Sequence, residues 1–459
     1  MFLGAIAVPH PPLIIPEVGQ GQEKGIQATV DAYREAARWA VGLEPETVVV
    51  TSPHSVMYGD YFHISPGEEA RGDFGNFRAP QVKVAVEYDT AFRKQLCALA
   101  DKEEFPAGIM GEKSPALDHA TLIPLHFLQE AGFKGKLVRI GLSGLSRRHH
   151  YHLGEMIAQT ARLLKRKVVL VASGDLSHKL LAEGPYGFDP AGPVFDERMQ
   201  ECFRDGDFLK LLSTPNSLAD SAAECGLRSF WIMAGALDRQ QVTARLLAYE
   251  GPFGVGYGTA IFAPGARDES RAILVQYEEL RQREIKVLRD KEDAHLALAR
   301  ASLEHFVKRH EYLPVPKDLP EELKGRHGAF VSIKVDGALR GCIGTFLPTR
   351  DNLAQEIIYN AVSAGMNDPR FSQVTEEELP ELVYDVDVLT APEPIDSPDK
   401  LDVRRYGVIV QAGSRRGLLL PDLDGVDTVE QQISIARRKG GIGEKEKVQL
   451  YRFEVERHI

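Results

Sequence analysis

Val168-Val169-Leu170-Val171-Ala172-Ser173-Gly174-Asp175-Leu176-Ser177-His178 is the stretch that decides how the first half of this chain folds. Its opening Val168-Val169-Leu170-Val171 is a short, β-branched apolar run, which predicts a strand buried on both faces. The run then stops and presents a carboxylate, Asp175, and an imidazole, His178. Two earlier segments repeat the layout. Phe2 to Val8 leads into Pro9-His10-Pro11-Pro12, and Thr47-Val48-Val49-Val50 leads into Thr51-Ser52-Pro53-His54-Ser55. A fourth segment, Ala223-Glu224-Cys225-Gly226, adds a carboxylate and a thiol. In open α/β sheets the crevice beyond the carboxyl ends of the strands is the usual ligand site, so residues placed just after strands converge there.

Outward from these segments, strands alternate with helical patterns as far as about Pro264. Helices are predicted over 28–41, 90–100, 121–130, 153–164, 194–202 and 227–237, and further strands over 82–86, 137–140, 243–249 and 258–262. The alternation predicts an α/β domain over residues 1–265, with a mixed or largely parallel central sheet flanked by helices. Ala263-Pro264-Gly265-Ala266 is expected to be a turn that closes it. The following Glu, Arg and Lys residues with spaced Leu, Ile and Val predict a charged linker helix over 266–286. A smaller α+β domain is expected over 287–459, with a helix over 294–309 and period-two strands over 328–335, 337–344, 383–389 and 406–410 forming an antiparallel sheet. The length of 459 residues fits two or three domains.

The formal net charge of -11 and the absence of a basic stripe argue against nucleic-acid binding. Arg147-Arg148, Lys165-Arg166-Lys167 and Arg437-Arg438-Lys439 read as solvated helix ends. Met1 to Val8 is apolar but lacks a basic n-region, and predicts a strand rather than a signal peptide. No apolar run reaches the roughly 18 to 20 residues of a membrane span. Cys97, Cys202, Cys225 and Cys342 are scattered without a CxxC pair. A reducing cytoplasm is the expected compartment.

His10 between two prolines has a restricted, extended backbone, which suits a fixed metal ligand. His10 and His54 with Glu224 would make the two-His, one-carboxylate set of non-haem Fe(II) sites. His10 and His54 with Cys225 would suit Zn or Cu equally well. Glu224 and Cys225 are neighbours whose side chains point in different directions, so only one is expected on the metal. Asp175 is placed to orient the ring of His178. Leu117-Asp118-His119 precedes an apolar helix; His119 is a further candidate for the rim, with Asp118 as a plain N-cap in the alternative reading. His63, His126, His149, His150 and His152 are expected to have packing or surface roles.

On Pro9-His10-Pro11-Pro12, Ser52-Pro53-His54, Asp118-His119, Asp175 with His178, and Glu224-Cys225-Gly226, the first domain resembles the class III extradiol dioxygenases with the LigB-like fold, and within them the Memo-like branch. That resemblance implies Fe(II) held by two His and a Glu, so that His10 and His54 look like ligands and His178 like the acid/base toward a catechol. The Memo-like branch implies a Cys as third ligand, in a Cys-Gly pair that Cys225-Gly226 matches. Leu339-Arg340-Gly341-Cys342-Ile343-Gly344-Thr345-Phe346 and Asn367-Asp368-Pro369-Arg370-Phe371 resemble the Ammecr domain. The order of the two halves is similar to that of fused AmmeMemoRadiSam proteins, which implies a separate radical SAM protein as partner. This chain has no CxxxCxxC cluster motif of its own.

Read without the resemblance, Leu339 to Phe346 is a strand, a tight glycine turn and a strand. Cys342 there is more often structural than reactive, with Arg340 the only local group able to lower its pKa. Three functions compete at this stage. One is an Fe(II)-dependent oxidoreductase acting on a small aromatic or enediol substrate, with the second domain covering the mouth or delivering substrate. The others are a metal-binding adaptor without turnover and a metal-dependent hydrolase or transferase.

Overall fold

The computed structural model describes residues 1–423 and 425–459. By contacts within the chain it divides into two units, Met1–Glu279 and Leu280–Ile459.

The first unit is built on a six-stranded sheet in the order Lys136–Gly141, Thr47–Ser52, Val168–Ser173, Phe2–Val8, Tyr257–Arg267, Gln240–Glu250. The first four strands are mutually parallel and the last two are antiparallel additions. Period two sorts the strand residues between two cores. Ala5, Ala7, Val49, Val138, Ile140, Leu170 and Ala172 face one, and Ile6, Val8, Val48, Val50, Leu137, Val169 and Val171 face the other. Both faces are therefore covered, which is why these strands lack polar alternation. The helices Arg147–Leu163 and Leu227–Ala236 supply the first core. Gln27–Gly42 and His119–Glu130 supply the second.

One expectation is corrected. Residues 263–266 do not turn: the strand Tyr257–Arg267 runs through them, pairing Ala263 with Thr243 and Pro264 with Val242. Proline is tolerated because the ladder loses register there. The strand predicted over 82–86 is observed within Ala79–Glu87, where it pairs with Glu69–Phe74 in a separate two-stranded sheet.

The division at Glu279 falls inside the helix Ile273–Arg289. Its first turns belong to the first unit, since Ile273 and Tyr277 are buried in that core. A fragment ending at residue 266 exposes that part of the core, at a cost of roughly 1.5 to 3 kcal/mol per large apolar side chain. Fragment 1–279 is accordingly expected to be soluble and to melt cooperatively several degrees above fragment 1–266. Equal melting temperatures in calorimetry would contradict this.

The second unit contains two four-stranded antiparallel sheets. One has the order Ala338–Thr345, Gly328–Val335, Val383–Leu389, Val455–His458. The other has the order Glu393–Ile395, Gln449–Phe453, Gly407–Ala412, Arg415–Leu419. Helices Ala294–Arg309 and Leu353–Met366 pack on the first sheet, and Val429–Lys439 packs on the second.

Candidate metal centre

The four parallel strands deliver their following residues to one edge of the sheet. His10, His54 and Asp175 each stand two residues beyond the last residue of a strand, Val8, Ser52 and Ser173. Because Val8 pairs with Ser173, and Thr51 with Ala172, the three loops leave the sheet side by side.

His10 is buried at the centre of the cluster. Its Nδ1 shares a hydrogen bond with Ser173 Oγ at 3.0 Å, which fixes the ring and turns Nε2 toward His54 and Cys225. That Nε2 lies 3.1 Å from His54 Nε2 and 3.5 Å from Cys225 Sγ. His54 is exposed, and its backbone N–H donates to Ser52 Oγ, which in turn donates to Asp118 Oδ1 at 2.6 Å. Asp118 also caps the helix His119–Glu130 by accepting the Thr121 N–H, so one carboxylate ties the His54 loop to that helix start. His119 is thereby brought over His54, with ring centroids 4.2 Å apart.

Cys225 reaches the cluster through a turn that the sequence did not advertise. Ala223 adopts a left-handed conformation, φ 52°, just before Glu224. A Cβ on Gly174 would meet the Gly226 Cα at 2.1 Å, so only glycine lets the loop after Val168–Ser173 lie against Cys225-Gly226. Cys225 Sγ accepts the Asp175 N–H at 3.3 Å. The neighbouring Glu224 is turned the other way: its Oε2 accepts the Leu227 N–H at 2.6 Å, at the start of Leu227–Ala236. At this sheet edge two groups have donor atoms within 4.8 Å of one another: His10, His54 and Cys225, and Asp175, His178 and Cys225. They share the sulfur, and Glu224 is in neither.

The donor set fits a first-row divalent metal. Tetrahedral bonds of about 2.0–2.1 Å to nitrogen and about 2.3 Å to sulfur put ligand atoms roughly 3.3 Å (N to N) and 3.6 Å (N to S) apart. The observed separations are 3.1 and 3.5 Å. Burial keeps the imidazoles neutral, the form that coordinates. The His10 pKa is held well below its usual range by desolvation and then by the other imidazoles around it. His119 and His178 are each brought down to about 4, by burial and then by His54. Burial, then Asp175 and Glu224, push the Cys225 thiol up.

Among the described residues Asp175 lies near the His178 ring without a hydrogen bond to it; its Oδ1 accepts the His10 N–H at 2.7 Å and its Oδ2 lies 3.8 Å from His10 Nε2. What steadies His178 is its own N–H, which donates to the Ala222 carbonyl, and Tyr186, stacked at 5.2 Å. Sequence reasoning also missed Ser173, Ser52 and Asp196; Asp196 accepts hydrogen bonds from the Ser177 N–H and the Tyr249 hydroxyl. Among the other histidines, His63 and His150 are buried in packing roles and His152 sits between Glu103 and Glu155.

Burial raises three carboxyls, Asp175, Asp196 and Glu224, each to about 7. Their folded values lie above the unfolded carboxyl range near 4, so the folded state holds protons that the unfolded chain releases. The stabilisation this brings is fully present below about pH 4 and is lost as pH rises through about 7. Asp196→Asn imitates the protonated form. In the metal-free protein it is expected to gain stability relative to wild type between pH 5 and pH 8, read from urea midpoints. A pH-independent difference would contradict the assignment.

The family model described as the catalytic LigB subunit of aromatic ring-opening dioxygenase matches residues 4–260. The chain belongs to the LigB family. An AMMECR1 domain is fused behind the LigB domain, matching residues 296–458. A Clostridium acetobutylicum protein is 37% identical over 464 residues, covering 99% of this chain and 98% of its own. A Thermotoga maritima protein is 52% identical over 159 residues, covering 34% of this chain and 91% of its own. A crystal structure of a Pyrococcus horikoshii protein is 33% identical, covers 36% of this chain and 88% of its own, and has a TM-score of 0.33. The two family models and the full-length Clostridium acetobutylicum relative bear out the expected two-domain architecture. LigB proteins are metal-dependent, and the cluster at the sheet edge supplies this chain with donor atoms. Among the described residues no helix is long and apolar enough to cross a membrane.

In the AMMECR1 domain, Arg340 pairs with Glu378 rather than with Cys342. The Cys342 N–H donates to Asp368, whose carboxylate also pairs with Arg370, and Ser332 Oγ donates to the Cys342 sulfur.

Proposed function

We propose that the LigB domain is a mononuclear metalloenzyme for a small aromatic or enediol substrate, with the metal held by His10 Nε2, His54 Nε2 and Cys225 Sγ. The convergence of those three atoms under two further neutral imidazoles carries the reading. A divalent metal held there supplies Lewis acidity, lowering the pKa of a substrate hydroxyl and orienting it. The protein's own groups do the rest. His178 and His119, uncharged at neutral pH, accept a substrate proton and return it. Ser173 holds the His10 ring in place, and the Asp175 N–H steadies negative charge on the Cys225 sulfur.

The sulfur donor favours a second reading of the metal: Zn or Cu rather than the Fe(II) of a carboxylate triad, with proton transfer or hydrolysis in place of ring opening. A radical SAM protein as partner belongs to the proposal on the order of the two domains alone. The test is anaerobic loading with Fe(II), Zn(II) or Cu(II), followed by titration with a nitrocatechol. Its absorbance is expected to shift to that of the deprotonated chelate in the loaded protein only. An unchanged spectrum with all three metals would sink the substrate class, and O₂ consumption with Fe(II) alone would favour ring opening.

A further inference from the structure

We propose that Asp293, His295 and His458 form a second divalent-cation site of the zinc type, inside the AMMECR1-bearing unit. Asp293 and His295 are two positions apart in sequence, and the fold brings His458 to them. Asp293 is the N-cap of the helix Ala294–Arg309, His295 lies in its first turn, and His458 ends the strand Val455–His458. Asp293 Oδ2 lies 2.5 Å from His458 Nδ1, and Oδ1 lies 3.6 Å from His295 Nδ1. The two rings stack with centroids 3.8 Å apart and planes inclined by 23°. One donor atom from each residue lies within 4.8 Å of the other two.

A helix cap with an ion pair would account for part of this arrangement. Asp293 Oδ1 accepts the N–H groups of His295 and Leu296, and its other oxygen faces His458. It does not account for the rings. His295 is only 5% exposed, yet its Nδ1, beside the carboxylate, has no hydrogen-bond partner. His458 Nε2 is buried and unpartnered as well, with Glu456 Oε1 3.9 Å away. A buried polar atom without a partner calls for an explanation, and the His295 nitrogen lies within reach of both a carboxylate and a second imidazole. A cation beside the carboxylate would take the His295 nitrogen and replace the proton between His458 Nδ1 and Asp293. Glu456 would then stand where carboxylates commonly orient the far nitrogen of a ligating histidine.

Two imidazoles and one carboxylate without sulfur suit Zn(II), with a fourth position for water. Binding of the ion would part Asp293 Oδ2 and His458 Nδ1 from the 2.5 Å of a hydrogen bond to the roughly 3.3 Å of two ligands on one ion. Asp293 is half exposed and gives the ion its entry. The carboxylate lies between the cation and the helix N–H groups, which shields the ion from the positive end of the helix dipole. Asp293 and His295 precede the matched span 296–458, so the AMMECR1 match does not explain the triad. A bound ion would tie the strand Val455–His458 to the start of Ala294–Arg309, a structural clasp rather than a reaction centre.

The experiment uses full-length, chelator-stripped protein titrated with Co(II) and Zn(II). Wild type is expected to bind two equivalents of Co(II), one with a thiolate-to-cobalt charge-transfer band from Cys225 and one without. Asp293→Asn keeps a good N-cap but removes the anionic ligand. It and His295→Ala are expected to keep the thiolate band while weakening the other equivalent by about 100-fold or more, beyond the usual cost of losing an outer-sphere partner. They should also lose any zinc-dependent rise in Tm. Cys225→Ser should do the reverse, so failure at one centre is read separately from failure at the other. If Asp293→Asn and His295→Ala bind as much Co(II) and Zn(II) as wild type, or if wild type binds no sulfur-free equivalent, the second site does not exist.

Discussion

Cys225→Ser is expected to strip the LigB domain of most of its metal affinity, by about 100-fold or more, while Glu224→Ala leaves that affinity within a few fold of wild type. The contrast follows from where two adjacent side chains point. Cys225 Sγ stands 3.5 Å from His10 Nε2, whereas Glu224 Oε2 is engaged by the Leu227 N–H. Losing an outer-sphere partner costs 10- to 100-fold in affinity, and losing a direct ligand costs more. His10→Ala and His54→Ala should match the cysteine variant, since the remaining pair of ligands holds a first-row ion poorly. The penalty for Glu224→Ala is one of stability, about 1 to 3 kcal/mol for leaving the Leu227 N–H without its partner. Inductively coupled plasma analysis of the stripped and reloaded proteins, with urea melts alongside, checks both halves of the statement. Retention of metal by Cys225→Ser together with its loss from Glu224→Ala would reverse the assignment.

The second large effect is on turnover. His178→Ala is expected to lower activity by about 10²- to 10⁴-fold with metal content near normal, because what is removed is a proton acceptor and not a principal ligand. His178 sits at the edge of the cluster with Asp175 and Cys225 and stacks on Tyr186. Its ring is uncharged well below neutral pH, with a pKa near 4 set by burial and by His54. The nitrocatechol shift offers a second readout: His178→Ala should still chelate the probe while requiring a higher pH to deprotonate it. Loss of metal from His178→Ala would make it a ligand. Asp175→Asn should be milder, acting through His10, whose N–H it accepts.

The strand-then-histidine pattern was legible because a β-branched run and the residue two places after it are local features. His10, His54 and Asp175 meet because the strands before them are parallel neighbours, which the alternation of strands and helices implied. The helix predicted over 294–309 is observed over the same residues, with Asp293 as its cap. The choice between Glu224 and Cys225 was not legible. It depends on the left-handed Ala223 and on the close approach of Gly174 and Gly226, 52 positions apart in the chain. Pro264-Gly265 misled for a similar reason. Its turn propensity is overridden by pairing with Gln240–Glu250, a neighbour that propensity does not register. Asp175 stands three positions from His178 in sequence, but its hydrogen bond in the fold is with the His10 N–H, 165 residues away.

X-ray absorption at the metal edge of the LigB-domain centre tests the central claim most directly, using full-length Asp293→Asn protein so that only this centre is loaded. The account predicts one sulfur and two imidazole nitrogens in the first coordination shell, with the sulfur lost in Cys225→Ser. A shell of nitrogen and oxygen alone, unchanged in Cys225→Ser and altered in Glu224→Ala, would contradict it.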